Sequence, residues 1–328
     1  MSRFQKLHKN LSHRGSLLLL VGLALLFSTG CGGQKPEMQT TFKEEPTEFE
    51  KIQAKADEGD EEAIMKMAEI MEKGLYDQQP HYRKAARWYQ KAAELGNSQA
   101  KNEIGRLYEI GQDLTFFRNV PEAMSWYKEA AEEGNRDAQV NYAWLLEHQI
   151  GSAIDYTEAV KWYRKAAEAG DPLAKFRLGL MYQQGKGLTK DSFEAASWIL
   201  QAAEAGLVEA QFEMARAYSE GAGVEKDQST AVKWFTEAAK QGHPDAQLQL
   251  GLIYIGGDGV SPDPVEGYKW LNIAANTHKE AKKYREMFSK QLNSEDIQLA
   301  QGRSRSFEPH ASEVTNARWF DPDATGLR

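Results

Sequence analysis

The chain has 328 residues with a formal net charge of −8 at pH 7. Residues 1–30 carry four cations and no acid, so the remainder stands at −12. That balance excludes nucleic acid, whose phosphates need a basic face, and argues against electrostatic docking on anionic lipid. The one cysteine, Cys31, excludes any intramolecular disulfide, so stability must come from packing.

Arg3, Lys6, Lys9 and Arg14 form a positive lead-in to an apolar run of 11 residues, Leu17 to Phe27. A membrane span needs about 20 residues, so residues 1–30 read as a secretory signal peptide. The run ends Ser28-Thr29-Gly30-Cys31, which resembles a bacterial lipobox, although Ser28 stands where Leu, Val or Ile is usual. The resemblance implies that Cys31 becomes a lipidated mature N-terminus. Cleavage after Gly30 without lipidation, giving a soluble periplasmic or secreted protein, is the alternative. By analogy with Gram-negative sorting, Gly32 in place of Asp favours an outer-membrane lipoprotein facing the periplasm. Residues 31–47 are polar, without apolar period, and read as a flexible tether with a reach of roughly 20–25 Å.

Residues 48–59 resemble the second half of the unit that follows, without its tryptophan, and predict a capping helix. From there one pattern recurs. Trp88, Trp126, Trp162, Trp198, Trp234 and Trp270 are 38, 36, 36, 36 and 36 residues apart, and Gly96, Gly134, Gly170, Gly206 and Gly242 keep the same register. The unit at 171–206 shows the logic best. Asp171 caps a first helix, Pro172 suits its first turn, and Leu178, Gly179 and Tyr182 share a face. Gly185 and Gly187 end it, Asp191 caps a second helix, and Gly206 closes that. Ala195, Trp198 and Ala202 are expected on the buried side, which makes the six tryptophans core residues. A period of this length predicts a solenoid of stacked helix pairs. Six units follow: 60–96, 97–134, 135–170, 171–206, 207–242 and 243–277.

The first unit is degenerate, with Met67, Ala68 and Met71 at the Leu, Gly and Tyr register and Pro80-His81 in its loop. The second has a longer loop holding Phe116-Phe117, expected to pack on a neighbouring helix. The third has Gln149 where a loop glycine is usual. The glycine pairs are not phosphate cradles, since they end helices and no strand precedes them. Residues 278–302 predict closing helices. Residues 303–328 form a tail containing Trp319-Phe320, expected to fold back on the solenoid, with a docking peptide as the alternative.

The pattern Ala-x-x-x-Leu-Gly-x-x-Tyr-x-x-Gly-x-Gly, followed by Ala-x-x-Trp-Tyr/Phe-x-x-Ala-Ala-x-x-Gly, resembles the Sel1-like repeat, a relative of the tetratricopeptide repeat. The resemblance covers about two-thirds of the chain. It implies an all-α, right-handed superhelical solenoid whose first helices line a concave groove. By that register the groove residues are Asn102, Arg106, Val140, Trp144, Phe176, Leu180, Phe212 and Arg216. Trp144, Phe176 and the arginines are residue types that dominate binding energies.

No catalytic motif is present. His81, His148, His243, His278 and His310 are not paired at helical spacing, and there is no His-Glu-x-x-His, cysteine cluster or Gly-x-Ser-x-Gly elbow. The sequence therefore predicts a non-enzymatic, cofactor-free and metal-free monomer. It would be an adaptor binding a protein or peptide, with its membrane contact through the N-terminal lipid. An envelope hydrolase acting on cell-wall or antibiotic substrates, and a peptidoglycan-binding structural protein, are the alternatives.

Overall fold

The computed structural model describes residues 46–111, 116–148 and 154–310. The expected signal peptide, Cys31, most of the expected tether, Gln149 and Trp319-Phe320 lie outside them. Contacts divide the chain into residues 1–45 and a compact unit from Pro46 onward. The described residues of that unit form 15 helices and no strand.

Helix α1 (Glu48–Asp57) is the N-terminal cap. Six antiparallel pairs follow: α2 (Glu61–Lys73) with α3 (Tyr82–Glu94), α4 (Ser98–Ile110) with α5 (Val120–Glu132), α6 (Arg136–Glu147) with α7 (Tyr156–Glu168), α8 (Pro172–Gln184) with α9 (Ser192–Glu204), α10 (Val208–Glu220) with α11 (Gln228–Lys240), and α12 (Pro244–Gly256) with α13 (Pro264–Ala274). Each helix packs on the next in sequence. Helices α14 (Lys279–Phe288) and α15 (Ser294–Arg305) both pack on α13 and close the array. The helix α15 thus extends past residue 302, and the start of the tail turns back. Phe307 meets Trp270 edge-on at 5.3 Å, and the His310 N–H donates to the Lys240 carbonyl at 3.0 Å.

Capping residues begin nearly every helix. The side chains of Asp60, Asn97, Asn135, Asp171, His243 and His278 accept from the backbone N–H three residues on. Several of them also reach back to the first helix of the preceding unit. Asn97 donates to Glu61 at 2.5 Å, Asn135 to Gln99 at 3.0 Å, and His278 meets Asp245 at 3.0 Å. The same side chain therefore starts one helix and clamps it to its neighbour. Leu207 is the exception at this register. It makes no side-chain cap and is buried in an apolar cluster instead.

The six tryptophans occupy a different place from the one their spacing predicts. Trp270 is buried, but Trp88, Trp126, Trp162, Trp198 and Trp234 are half-buried. The residue after each tryptophan fills the core: Tyr89, Tyr127, Tyr163, Ile199, Phe235 and Leu271 are each at most 5 % exposed. The reason is angular. In α9 the buried residues are Ala195, Ala196, Ile199, Ala202 and Ala203. At about 100° per residue their common direction falls on position 199, and position 198 lies a full residue step to one side. Trp126 packs against the cluster of the first two units and Trp198 against the cluster centred on the third, with the Trp198 indole N–H itself buried. Trp126 and Trp162 donate to Glu122 and Glu158, one turn earlier, at 3.1 and 3.0 Å.

In the second loop, Phe116 is buried against Tyr108 with ring centroids 4.8 Å apart, while Phe117 is 70 % exposed. The paired loop glycines do two jobs. Gly185, Gly221 and Gly257 close their helices in the left-handed conformation. The second of each pair lets the loop lie against the start of the preceding unit's second helix. At Gly223 (φ +75°) an added Cβ would overlap the carbonyl oxygen of Ser192. Gly223→Ala should therefore lower stability by about 1–3 kcal/mol from overpacking alone. Gly302, with open space around it in α15, should instead gain up to about 1 kcal/mol as alanine. Thermal or urea unfolding of the two variants checks both signs.

Candidate functional site, the face of the first helices

The first helices α2, α4, α6, α8, α10 and α12 place equivalent residues side by side. The eight residues predicted to line a groove here divide into two groups. Asn102, Val140, Trp144 and Phe176 are buried within the chain itself, with Trp144 only 4 % exposed. Asn102 accepts from Asn141 of the next first helix at 2.9 Å, and Trp144 stacks on His148 at 4.5 Å. Asn102 thus joins one first helix to the next, and all four offer little surface to a partner. Arg106, Leu180, Phe212 and Arg216 keep part of their surface open.

Arg106 is fixed by two carboxylates. It donates to Glu72 of the preceding unit at 2.5 Å and to Glu103 at 2.7 Å, and the nearby acids hold its guanidinium firmly charged. Glu72 also accepts from the Tyr89 hydroxyl at 3.1 Å. The pairing recurs in the next two units, where Tyr127 donates to Glu109 at 2.7 Å and Tyr163 to Glu147 at 3.0 Å. Burial pushes the Glu109 carboxyl up, opposed by the hydrogen bond from Tyr127, and it pushes the Tyr127 and Tyr163 hydroxyls well above their ordinary range. In the last three units Ile199, Phe235 and Leu271 replace the tyrosine, and Gln183, Ser219 and Ile255 replace the glutamate. The acid and its buried partner change together, because an unpaired buried carboxylate or hydroxyl is costly.

Two open depressions lie on this face. The first, about 590 Å³ between α2 and α4, is lined by Met65, Glu69, Glu72, Lys73, Glu103 and Arg106 among others. The second, about 410 Å³ between α10 and α12, is lined by Phe212, Arg216, Ser219, Glu220, Asp245, Gln249, Leu252 and Asp258. Gln249, Leu252 and Asp245 were not singled out by the sequence; Leu252 stands at the register of Trp144, Leu180 and Arg216, where the repeat alignment contains the signal, and Gln249 and Asp245 stand at registers without one. Beside the second depression His243 lies stacked on Phe212, ring centroids 4.3 Å apart. Its Nδ1 accepts the Ala246 N–H at 3.3 Å.

No group of three or more His, Cys, Asp or Glu among the described residues is placed to hold a metal ion, and no described helix is long and apolar enough to cross a membrane. The histidines are absorbed by local structure. His81, His243 and His278 cap helices, and His148 donates to the Trp144 carbonyl at the end of α6.

Stacked helix pairs with a common first-helix face define an α-helical repeat solenoid. The Sel1 repeat profile matches residues 61–97, 98–135, 136–171, 172–207, 208–243 and 244–276. The chain belongs to the Sel1 repeat family. It is similar to a solved structure of a protective antigen with an SLR fold from uropathogenic Escherichia coli, at 31 % identity and TM-score 0.71, over 81 % of this chain and 57 % of that one. The chain thus spans little more than half of that antigen. A Sel1 repeat protein from Oxalobacter formigenes is similar at 34 % identity and TM-score 0.60, over 68 % of this chain and 90 % of that one. No curated protein sequence matches.

His243 makes the last repeat sensitive to acid. Burial against Phe212 lowers its basicity, opposed by Asp245, and a protonated Nδ1 could not accept the Ala246 N–H. The unfolded chain therefore binds the proton more readily. The stabilisation is whole above the ordinary histidine value of about 6.5 and is lost as pH falls through it towards the lower folded value. Melting between pH 8 and 5 should show this loss, and His243→Asn, which keeps a cap without the titration, should flatten that part of the profile.

Proposed function

We propose that this protein is a non-catalytic adaptor that holds a protein or peptide on the first-helix face, tethered to the bacterial envelope through a lipid on Cys31. The depression between α10 and α12 carries the reading. It is open, and it combines an aromatic wall (Phe212), a cation (Arg216) and amide and carboxylate groups (Gln249, Asp245), the mix that interface anchors use. Among the described residues Arg216 pairs with Glu213 and Glu220 of its own helix, at 3.3 and 3.5 Å, and is exposed. Such pairs contribute little and exchange readily for a partner's carboxylate. Extended repeat surfaces bind their targets in this manner. Leu180 and Arg106 extend the same face towards the first unit.

The envelope part of the reading rests on the basic lead-in, the 11-residue apolar run and a lone cysteine at the cleavage register. Three acyl chains on Cys31 would hold the protein stably, where one would not. Position two, Gly32, is the basis for assigning it to the outer membrane.

A photo-crosslinking residue at Gln249, used in intact cells, should capture a defined protein. Arg216→Ala should cut that capture several-fold, while melting shifts by no more than about 0.5 kcal/mol, as for other surface changes. Capture of no protein, or capture indifferent to Arg216, would remove the docking assignment. The anchor is read separately, by the mass of the mature N-terminal peptide and by release of Cys31→Ala from membranes.

A further inference from the structure

The array of helix pairs has two edges. At one, each first helix ends and its second helix begins; at the other, each second helix hands over to the next unit. Nine large apolar residues are exposed among the described ones, and six of them stand at the first edge: Leu75, Tyr76, Ile110, Phe117, Ile154 and Phe193. All six belong to the first four units. Leu95 stands at the second edge, and Met287 and Leu299 belong to the closing helices. Phe193 is the most open, at 77 % exposed. In the last two units the first edge exposes Glu225, Lys226, Asp258 and Ser261, and no large apolar residue there is exposed among the described ones. Single exposed apolar residues are ordinary on a protein surface. A row kept to one edge and one end of an array is a different matter.

The N-terminal part of the chain enters at that same edge. Only Glu58 to Asp60 connect α1 to α2, so the two helices run antiparallel. Helix α1 therefore begins within about one turn of the edge at which α2 ends. Residues 31–45, with a reach of roughly 20 Å, join at Pro46 there. A membrane that holds Cys31 is thus tied to this edge and not to its opposite. Phenylalanine, tyrosine, leucine and isoleucine gain by burial in the interfacial zone of a bilayer, in proportion to the apolar area covered. That route needs no excess of cations, and so suits an acidic chain.

We propose that the edge carrying Leu75, Tyr76, Ile110, Phe117, Ile154 and Phe193 rests in the interfacial zone of a lipid bilayer. The inference takes its setting from the envelope reading above, but it concerns the solenoid alone and can fail separately.

Cys31 is the one cysteine, so the chain from residue 31 onward, which keeps the whole compact unit from Pro46, can be coupled through it to a maleimide lipid in phosphatidylcholine vesicles. The coupling is chemical, so the test does not depend on lipidation in the cell. Photoreactive benzoylphenylalanine is placed at Tyr76 or at Leu95, which flank α3 at its two ends, and lipid adducts are read by mass. Helix α3 is about 20 Å long, beyond the roughly 5–10 Å depth of interfacial burial, so adducts at residue 76 should exceed those at residue 95 at least about tenfold. Phe117→Ser/Phe193→Ser should lower the adduct at residue 76 about tenfold or more, with an unchanged melt. Raised salt should not weaken the adduct, since the contact is apolar. Equal adducts at both positions, none at either, an adduct at residue 76 indifferent to the double change in folded protein, or loss of the adduct in salt would overturn the proposal. So would capture of a protein in place of lipid from residue 76 in intact cells, which would assign the edge to a protein partner.

Discussion

The closeness with which the two helices of a unit approach decides the rest of the fold. At Gly105, Gly179 and Gly251 an added Cβ would come within 2.6, 2.5 and 2.8 Å of Tyr127, Ile199 and Leu271. In these three units the residue after the tryptophan sits in the notch that the missing side chain leaves. The intervening units carry Ala68, Ala143 and Ala215 at this register, all buried. A short distance between helices buries the Ala-Ala pairs of the second helix and leaves five of the six tryptophans half-buried beside the core. It also places the terminal glutamate of the first helix under the tyrosine hydroxyl in the first three units.

Much of this was legible in the sequence. The period, the capping Asp and Asn residues and the closing glycines each report one local constraint, and each recurs along the array. The place of the tryptophans was not legible. Positions i+3 and i+4 from Ala195 are both compatible with a buried face, and the largest apolar side chain at one of them is the natural choice. The structure chooses i+4 because the alanines at 196 and 203 widen the buried arc on that side. Four of the eight expected groove residues are buried for a related reason. The register borrowed from tetratricopeptide repeats marks the row where first helices adjoin, but here Asn102, Val140, Trp144 and Phe176 fill the space between neighbours. The residues that line open surface stand at the ends of the row.

Charge shows the same limit of a summed quantity. A net −8 speaks for the whole molecule and hides a helix with four cations on one arc. The polar character of the core is likewise local. Buried Tyr–Glu pairs run through the first three units and stop where Ile199 replaces tyrosine, so the two halves of the array differ in what removal of a hydroxyl would leave unpaired.

The account stands most directly on which aromatic residue of the repeat is core. Urea unfolding of Phe235→Ala beside Trp234→Ala separates the two. Phe235 is 3 % exposed and Trp234 half-buried, so Phe235→Ala should cost about 3–5 kcal/mol and Trp234→Ala clearly less, despite its larger side chain. A greater loss at Trp234 would return the tryptophans to the core and contradict the helix approach on which the rest is built.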